Sequence, residues 1–600
     1  MNLSDYVLNF LVKKKIKDVF LLTGGAISFM VDAFSRNKKI KYTCVAHEQA
    51  AAMMADSYSR LGPNLSCTMV TSGPGATNLI TGIACSWFDS IPSLHITGQV
   101  NSYEKQNAQK GTKNTRQVGF QETDIVSIAK PITKFSYQLK NPNEIKYILE
   151  KACHLAQSGR PGPVLIDIPM DFQTIKLDPK KLKSFNITKK KNTNISFKSS
   201  KKVVQLFYKS SRPVLLLGGG IKISKSEKKL EKLLKKLDVP IVTTWSGVDL
   251  LDHNNKNYIG NVGVYGSRSA NFTVQNSDLL LCLGSRLDTR ITGGVPSSFA
   301  RKSKIVVVDI DKNELSKQRG LKIHLKINQN LNIFLDDLIE QLKEYKEDRQ
   351  KKWLVKCQEW KNKYPIIEKS YYKQKKFVNP YVFFGELSNL LNNKSTIIAD
   401  DGGHLTWAIQ AFKVKKGQKL FSAFGNSPMG YAFPASIGAS ILGNKSKIIC
   451  IDGDGSIQMN IQELQTVKSN KLPIKIIVLN NNGYGIIKQF QELYLKKRYE
   501  ATTPETGVTN PDFKKISKAY GINYSLIMNN SKINSILRKT LKSGRPEFIE
   551  VMLKPDQKII PKLQFGNPIE DLSPTLPREE FKNNMIVETV SRSKKIYEAN

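Results

Sequence analysis

Short apolar runs that end in Gly, Pro or Asp alternate with longer amphipathic stretches through the first part of the chain, as in "VFLLTGG", "SCTMVTSGPG", "PSLHITGQV" and "GPVLIDIP". Runs this short and this apolar predict strands buried on both faces, and their alternation with helical periodicity predicts α/β domains with largely parallel sheets. The pattern lapses in "DPKKLKSFNITKKKNTNISFKSSKK", which is polar and basic, and resumes in "RPVLLLGGG", "VPIVTTWSG", "SDLLLCLGSRLD" and "SKIVVVDID". A charged helical stretch, "LKEYKEDRQKKWLVKCQEWKNKYP", precedes a third block with "STIIADDGG", "SKIICIDGDGS" and "IKIIVLNNNG" as strands. The expected organisation is therefore an α/β domain over 1–178, a basic linker over 179–202, a middle domain over 203–345, a linker helix over 346–378, a third domain over 379–555 and a surface tail over 556–600. The first and third blocks are alike in size and pattern.

Composition changes this picture little. A hydrophobic fraction of 40% and a charged fraction of 24% describe a globular chain with material for large cores. The net charge of +41 raises nucleic acid as a partner. Its Lys residues are spread along the chain, however, and no RNP-like signature, paired zinc-ligand spacing or Arg-rich helix accompanies them. The charge is read as a solvated surface, with no nucleic-acid partner. The seven cysteines form no CxxC pair, which fits a reduced, cytoplasmic compartment. The N-terminus lacks the order of a signal peptide, and no apolar run approaches the roughly 20 residues of a membrane span. Six histidines without a clustered pair argue against zinc or iron.

Chemistry concentrates in "GDGSIQMNIQELQTVKSNKLPIKIIVLNNNGYG", residues 453–485. A strand runs into Asp454, flanked by Gly453 and Gly455 and followed by Ser456 and a predicted helix. Glycines let backbone approach a ligand, a helix N-terminus favours an anion, and the carboxylate suits a hard cation. Asn481 follows Asp454 by 27 positions, the length of one helix plus one parallel strand, so both side chains would emerge at one sheet edge. Asp454, the Asn481 amide oxygen, a carbonyl from about Gly483 and two phosphate oxygens would give Mg²⁺ a near-octahedral shell. Taken singly, Asp454 and the asparagines could equally be turn formers.

The spaced "GDGS" and "NN" resemble the diphosphate and Mg²⁺ motif of thiamine-diphosphate-dependent enzymes. "HEQAAAMMADSYSRLG", "TSGPGATNLITGIACSWFDSIPSLHITGQV", "FQETDIV", "RPGPVLIDIPMD", "GSRLDTRITGG" and "NNNGYGIIKQFQ" are similar, in order, to segments of the acetohydroxyacid (acetolactate) synthase large subunit and related carboligases. The resemblance covers about residues 1–555. It implies three doubly wound parallel-sheet domains, binding the pyrimidine, in the middle optionally FAD, and the diphosphate. It also implies decarboxylation of pyruvate and transfer of the two-carbon unit to a second 2-oxo acid. A sugar-linked acceptor, or simple decarboxylation, is the alternative.

By the same resemblance, Glu48 falls on the catalytic glutamate that hydrogen-bonds the aminopyrimidine N1′ and promotes removal of the C2 proton. Met429 falls on the apolar residue that bends the coenzyme, and Gln121 and Gly25 on positions facing the reacting carbon. Arg290 falls on an FAD-contacting arginine and Phe490 on the acceptor-selecting position. His404, at a strand end, is open to coenzyme contact or to an ordinary loop role, as is Arg268 to a polar loop role. This chain departs from the family at Phe490, Met170 and Thr289, where the anabolic synthases carry Trp, Lys and Asp. These changes bear on acceptor and FAD. A homodimer or homotetramer is implied, with a regulatory subunit optional.

Overall fold

The computed structural model describes residues 1–63, 65–106, 108, 110–187, 195–317, 319–342, 349–443 and 446–595. Eighteen strands form three six-stranded sheets in which every pairing is parallel. The first holds β1 (Asp18–Leu22), β2 (Lys41–Cys44), β3 (Ser66–Val70), β4 (Ser93–Gln99), β5 (Phe135–Gln138) and β6 (Val164–Pro169), in the order 2-1-3-4-6-5. The third holds β13 (Ser395–Ala399), β14 (Lys419–Phe421), β15 (Lys447–Gly453), β16 (Lys475–Asn480), β17 (Asn523–Ile527) and β18 (Glu547–Met552), in the order 14-13-15-16-18-17. Counted from its own first strand, this is the order of the first sheet, so the two blocks share a topology. The middle sheet, β7 (Pro213–Leu217), β8 (Ile241–Thr243), β9 (Tyr258–Asn261), β10 (Leu279–Leu283), β11 (Lys304–Asp309) and β12 (Ile323–Asn328), runs 12-11-10-7-8-9. From the opposite edge that is the order of dinucleotide-binding sheets.

Each doubly wound sheet has one point where the chain reverses its direction of winding, and the crevice there is open to ligands. It lies between β1 and β3 in the first domain and between β13 and β15 in the third. Their carboxyl ends carry Gly24, Gly25 and Thr71–Gly75 in one case, and Asp400 to His404 and Asp452 to Ser456 in the other.

Two segments differ from the sequence expectation. Of the linker helix expected over 346–378, residues 346–348 lie outside the described residues, and helix Arg349–Lys363 contributes Trp353, Leu354, Cys357 and Trp360 to the core of the middle domain, against Phe272. The expected surface tail is also built into that core through Leu563, Ile569, Leu572 and Phe581. Arg578 is paired with buried Asp571, and Asn271 and Asn276 donate to the carbonyls of Ile569 and Asn584. Arg268 also donates to the carbonyls of Leu572 and Pro574, so its role is to anchor this segment. A Pro-rich, charged sequence conceals such packing because its apolar residues follow no regular period.

The first and third domains meet through helices Glu48–Leu61 and Ala432–Ile441. A Cβ on Gly438 would lie 2.2 Å from the carbonyl oxygen of Met54, so only glycine permits this approach. Across the same interface, fully buried Asp56 accepts hydrogen bonds from Arg60, from Ser86 Oγ (2.9 Å) and from Tyr431 Oη (2.5 Å). Arg60 continues to Asp89 (2.9 Å), whose carboxylate receives the backbone N–H groups of Phe424 and Gly425. Replacing Asp56 with Ala leaves two buried hydroxyls without their acceptor and Arg60 with Asp89 as its remaining carboxylate. Asp56→Ala should lower unfolding free energy by about 3–5 kcal/mol, read as a lower urea midpoint, with Asp56→Asn losing less.

Candidate active site

At the carboxyl edge of the third sheet, β15 and β16 pair in register from Ile449 with Lys475 to Gly453 with Leu479. That register brings the loops after both strands together. Asp454, 3% exposed, accepts hydrogen bonds from the backbone N–H of Gly455 (3.1 Å) and of Gly483 (3.0 Å). Gly483 holds a φ of +149°, and a Cβ there would stand 2.5 Å from the Thr502 carbonyl oxygen. Of the successive asparagines, Asn480 is committed to the framework: its Nδ2 donates to Glu550 and its Oδ1 accepts from the N–H of Asn482. Asn481 instead lies over Gly485, with its Nδ2 2.6 Å from where a Cβ would be. The loop that carries Asn481 is thus tied to Asp454 through the Gly483 N–H at one corner of the sheet edge. Asn510, which no spacing in the sequence singles out, joins it by donating to Asp454 Oδ2 (2.7 Å).

The crossover from β15 to β16 is not the single helix expected. Residues Ile457–Glu463 form a 3₁₀ segment kinked at Asn460, before helix Leu464–Ser469. The kink frees Asn460 to donate to the Gly430 carbonyl (2.7 Å), while Gly430 N–H donates to Asp400 (2.8 Å). Half-buried Met429 thus rides on a loop held from two strands of the third sheet. Gly430 has a φ of +85°, and a Cβ would collide with Met459.

Gly453 and Gly402 leave room for the His404 ring, which would come within 2.8 Å and 2.6 Å of a Cβ on either. Burial holds the imidazole neutral, with its pKa lowered to about 3, and its Nε2 is buried with no protein partner. Asp400, His404 and Asp452 stand together, and burial pushes both carboxyls up, with repulsion from Asp401 adding to Asp400, raised to about 7, and repulsion from Asp400 adding to Asp452. Ser456 is spent within the loop: its hydroxyl donates to Asp452 and accepts from the Gly453 N–H. Gly455 admits the Tyr484 ring, 2.4 Å from the position of a Cβ.

In the first domain, Glu48 opens helix Glu48–Leu61 and is 7% exposed. Asn78 Nδ2 donates to its Oε2 (2.9 Å), and its Oε1 lies 3.5 Å from where a Cβ on Gly75 would be. Gln121 has a φ of +66°, and its side chain packs into the space that Gly73 leaves. Gly25 follows Gly24, which packs on Thr71 of the same glycine-rich loop. Glu48, Gln121 and Gly25 are thus gathered round residues 71–75. Glu463, at the end of the 3₁₀ segment of the crossover, accepts the N–H groups of Ala46 and His47 (2.9 and 3.1 Å), fixing the turn before Glu48 from the third domain. The sequence gives no sign of that contact, because the partners stand 416 and 417 positions apart.

Two residues lie away from these clusters. The Arg290 guanidinium stacks 4.8 Å over Trp245 in the middle domain. Phe490, on helix Gly485–Tyr494, packs against Tyr494 and against Phe565 from the C-terminal segment.

Comparison with known proteins agrees with this arrangement. Residues 1–128 match the thiamine pyrophosphate enzyme N-terminal TPP-binding domain, 200–338 the central domain and 400–551 the C-terminal TPP-binding domain. The chain is 34% identical to the acetolactate synthase large subunit of Cyanidium caldarium, over 93% of this chain and 94% of that protein. It is 32% identical to the acetolactate synthase isozyme 2 large subunit of Escherichia coli, over 94% and 98%. It is 31% identical to the chloroplastic acetolactate synthase 2 of Nicotiana tabacum, over 95% and 84%. With its three all-parallel domains and a polar site at the switch point of the first and of the third, the chain belongs to the thiamine pyrophosphate enzyme family and is an acetolactate synthase-like enzyme dependent on thiamine diphosphate.

Proposed function

We propose that the protein decarboxylates pyruvate and joins the remaining two-carbon unit to a second 2-oxo acid, giving 2-acetolactate when the acceptor is pyruvate. The observation that carries this reading is the Glu463 contact, which ties the turn before Glu48 to the crossover that starts at Asp454. The pyrimidine-side and diphosphate-side residues are thereby built on one framework, each side meeting a coenzyme shared with a second copy of the chain.

The unspent Nε2 of buried His404, whose ring Gly453 and Gly402 admit, fits a phosphate-bearing group. Asp454, Asn481 and the Gly483 carbonyl would hold Mg²⁺ against the diphosphate, and His404 would contact a phosphate oxygen. Thiamine diphosphate, when bound, supplies the ring that accepts the electron pair released as CO₂ leaves pyruvate. Met429 supports its bent shape. Glu48 holds a proton at the pyrimidine N1′, with Asn78 fixing the carboxyl group. Gln121 and Gly25 line the carbonyl being attacked, and Phe490 the acceptor. The 86% exposure of Phe120, beside Gln121, supports a second copy of the chain completing the site in a homodimer or dimer of dimers. A regulatory subunit and a cytoplasmic location belong to the same reading. Among the described residues no helix is long and apolar enough to cross a membrane.

FAD is the remaining cofactor. The middle sheet has dinucleotide-type order, but Arg290 is already engaged by Trp245, so no step is assigned to a flavin. If FAD is resident, the purified protein is yellow and releases flavin on denaturation; a colourless, fully active preparation removes FAD.

Glu48→Gln should retain thiamine diphosphate binding while acetolactate formation from pyruvate falls by about 10²–10⁴-fold. Unchanged turnover would remove Glu48 from the proton relay.

Burial raises the Asp454 carboxyl from 3.8 to about 6. Because the folded state binds this proton more tightly than the unfolded chain, the contribution to apoprotein stability is greatest at low pH and is lost as pH rises towards 6. A cation must displace the proton below that value. Mg²⁺ affinity should therefore be flat above about pH 6 and fall roughly tenfold per unit below it, measured by calorimetric titration of apoprotein with Mg²⁺ and thiamine diphosphate.

A further inference from the structure

Glu550 places a buried carboxylate inside the third sheet, among strands that are otherwise apolar. It pairs in register with Val478 of β16 and Leu526 of β17, so Asn480 and Tyr524, each two residues along, share its face of the sheet. Each carboxylate oxygen receives one donor. Asn480 Nδ2 reaches Oε1 (2.6 Å), and the Tyr524 hydroxyl reaches Oε2. Burial and the contact with Glu550 raise the Tyr524 hydroxyl above its ordinary value, so it stays a donor.

The chemistry of this pair fixes which way the Asn480 amide faces. A carboxylate only accepts, so the amide turns its Nδ2 to Glu550 and its Oδ1 away. There Oδ1 receives the Asn482 N–H (2.9 Å), closing an Asx turn in which Asn482 holds a φ of +57°. A flipped amide would set oxygen against the carboxylate and N–H against N–H, leaving buried groups unpaired. The Asn480 carbonyl is itself taken by the Leu553 N–H (2.7 Å), which fixes the strand side of the turn. On the far side Gly483 donates to Asp454. One line of directional bonds therefore runs from Glu550 through the Asn480 amide and the turn to Asp454, and Asn481 lies within that turn.

We propose that Glu550 is a positioning residue for the divalent cation: by orienting the Asn480 amide it presets the turn that carries Asn481 and Gly483, and so strengthens the binding of Mg²⁺ together with thiamine diphosphate. This role rests on the cation site assigned under the proposed function. Without the carboxylate the amide takes either orientation, and the cation must order the turn as it binds. That ordering lowers affinity.

The test is calorimetric titration of the full-length apoprotein with Mg²⁺ in the presence of thiamine diphosphate. Glu550→Leu should weaken Mg²⁺ binding by about 10–100-fold. Glu550→Gln should bind within about threefold of the wild type, because its Oε1 still accepts from Asn480 while its Nε2 donates to the Tyr524 hydroxyl. Asn480→Ala should lose as much as Glu550→Leu, and the double variant no more than either alone, since both act through one amide. Deuterium exchange in the peptide that holds Asn482 should quicken in Asn480→Ala and stay as in the wild type in Glu550→Gln. If Glu550→Leu does not fold, Asn480→Ala and Glu550→Gln decide the matter. Mg²⁺ affinity unchanged in Asn480→Ala or in folded Glu550→Leu, losses that add in the double variant, or a Glu550→Gln as weak as Asn480→Ala each overturn the proposal while leaving the cation site in place. A wild type that binds no Mg²⁺ with thiamine diphosphate overturns the cation site itself, and this inference with it.

Discussion

The buried carboxylate of Asp56 is the constraint on which the site depends. It lies in the middle of the helix that begins at Glu48, and it takes hydrogen bonds from its own helix, from Ser86 and from Tyr431 of the third domain. A carboxylate so far from water is tolerated only when Arg60 neutralises it and donors fill its lone pairs. That demand fixes the helix in rotation as well as in position. Arg60 extends the constraint through Asp89 to the loop at Phe424 and Gly425. The two domains that contribute to the site are thus held by directional bonds, with Gly438 allowing the helices to come close enough to form them.

On that framework the segment between Asp454 and Asn481 does more than join two strands. Its kink at Asn460 supports the loop bearing Met429, and its Glu463 holds the turn before Glu48. The turn before Glu48, the loop bearing Met429 and the loop at Asp454 are consequently positioned by one short crossover. A regular helix there would satisfy its own backbone and leave both outside contacts unmade.

The C-terminal residues complete the middle domain rather than trail from it. Leu563, Ile569, Leu572 and Phe581 bury apolar surface against the helix at Arg349–Lys363, and Arg578 neutralises Asp571. Packing of this kind orders the chain on either side of Phe565.

The sequence by itself determined the three α/β blocks, their parallel strands and the residues at strand ends, because apolar runs bounded by glycine or aspartate encode buried strands locally. It also singled out Asp454 and Asn481, since one crossover length fixes which loops share a sheet edge. Tertiary structure alone decided that Asn480 serves Glu550 while Asn481 stays at the site, that Ser456 is consumed inside its own loop, and that Asn510 and Glu463 take part. It also decided that Trp353, Leu354, Cys357 and Trp360, with Leu563, Ile569, Leu572 and Phe581, belong to a core. The reason is physical: a hydrogen bond between groups hundreds of residues apart depends on where packed elements place them, and no periodicity along the chain carries that information.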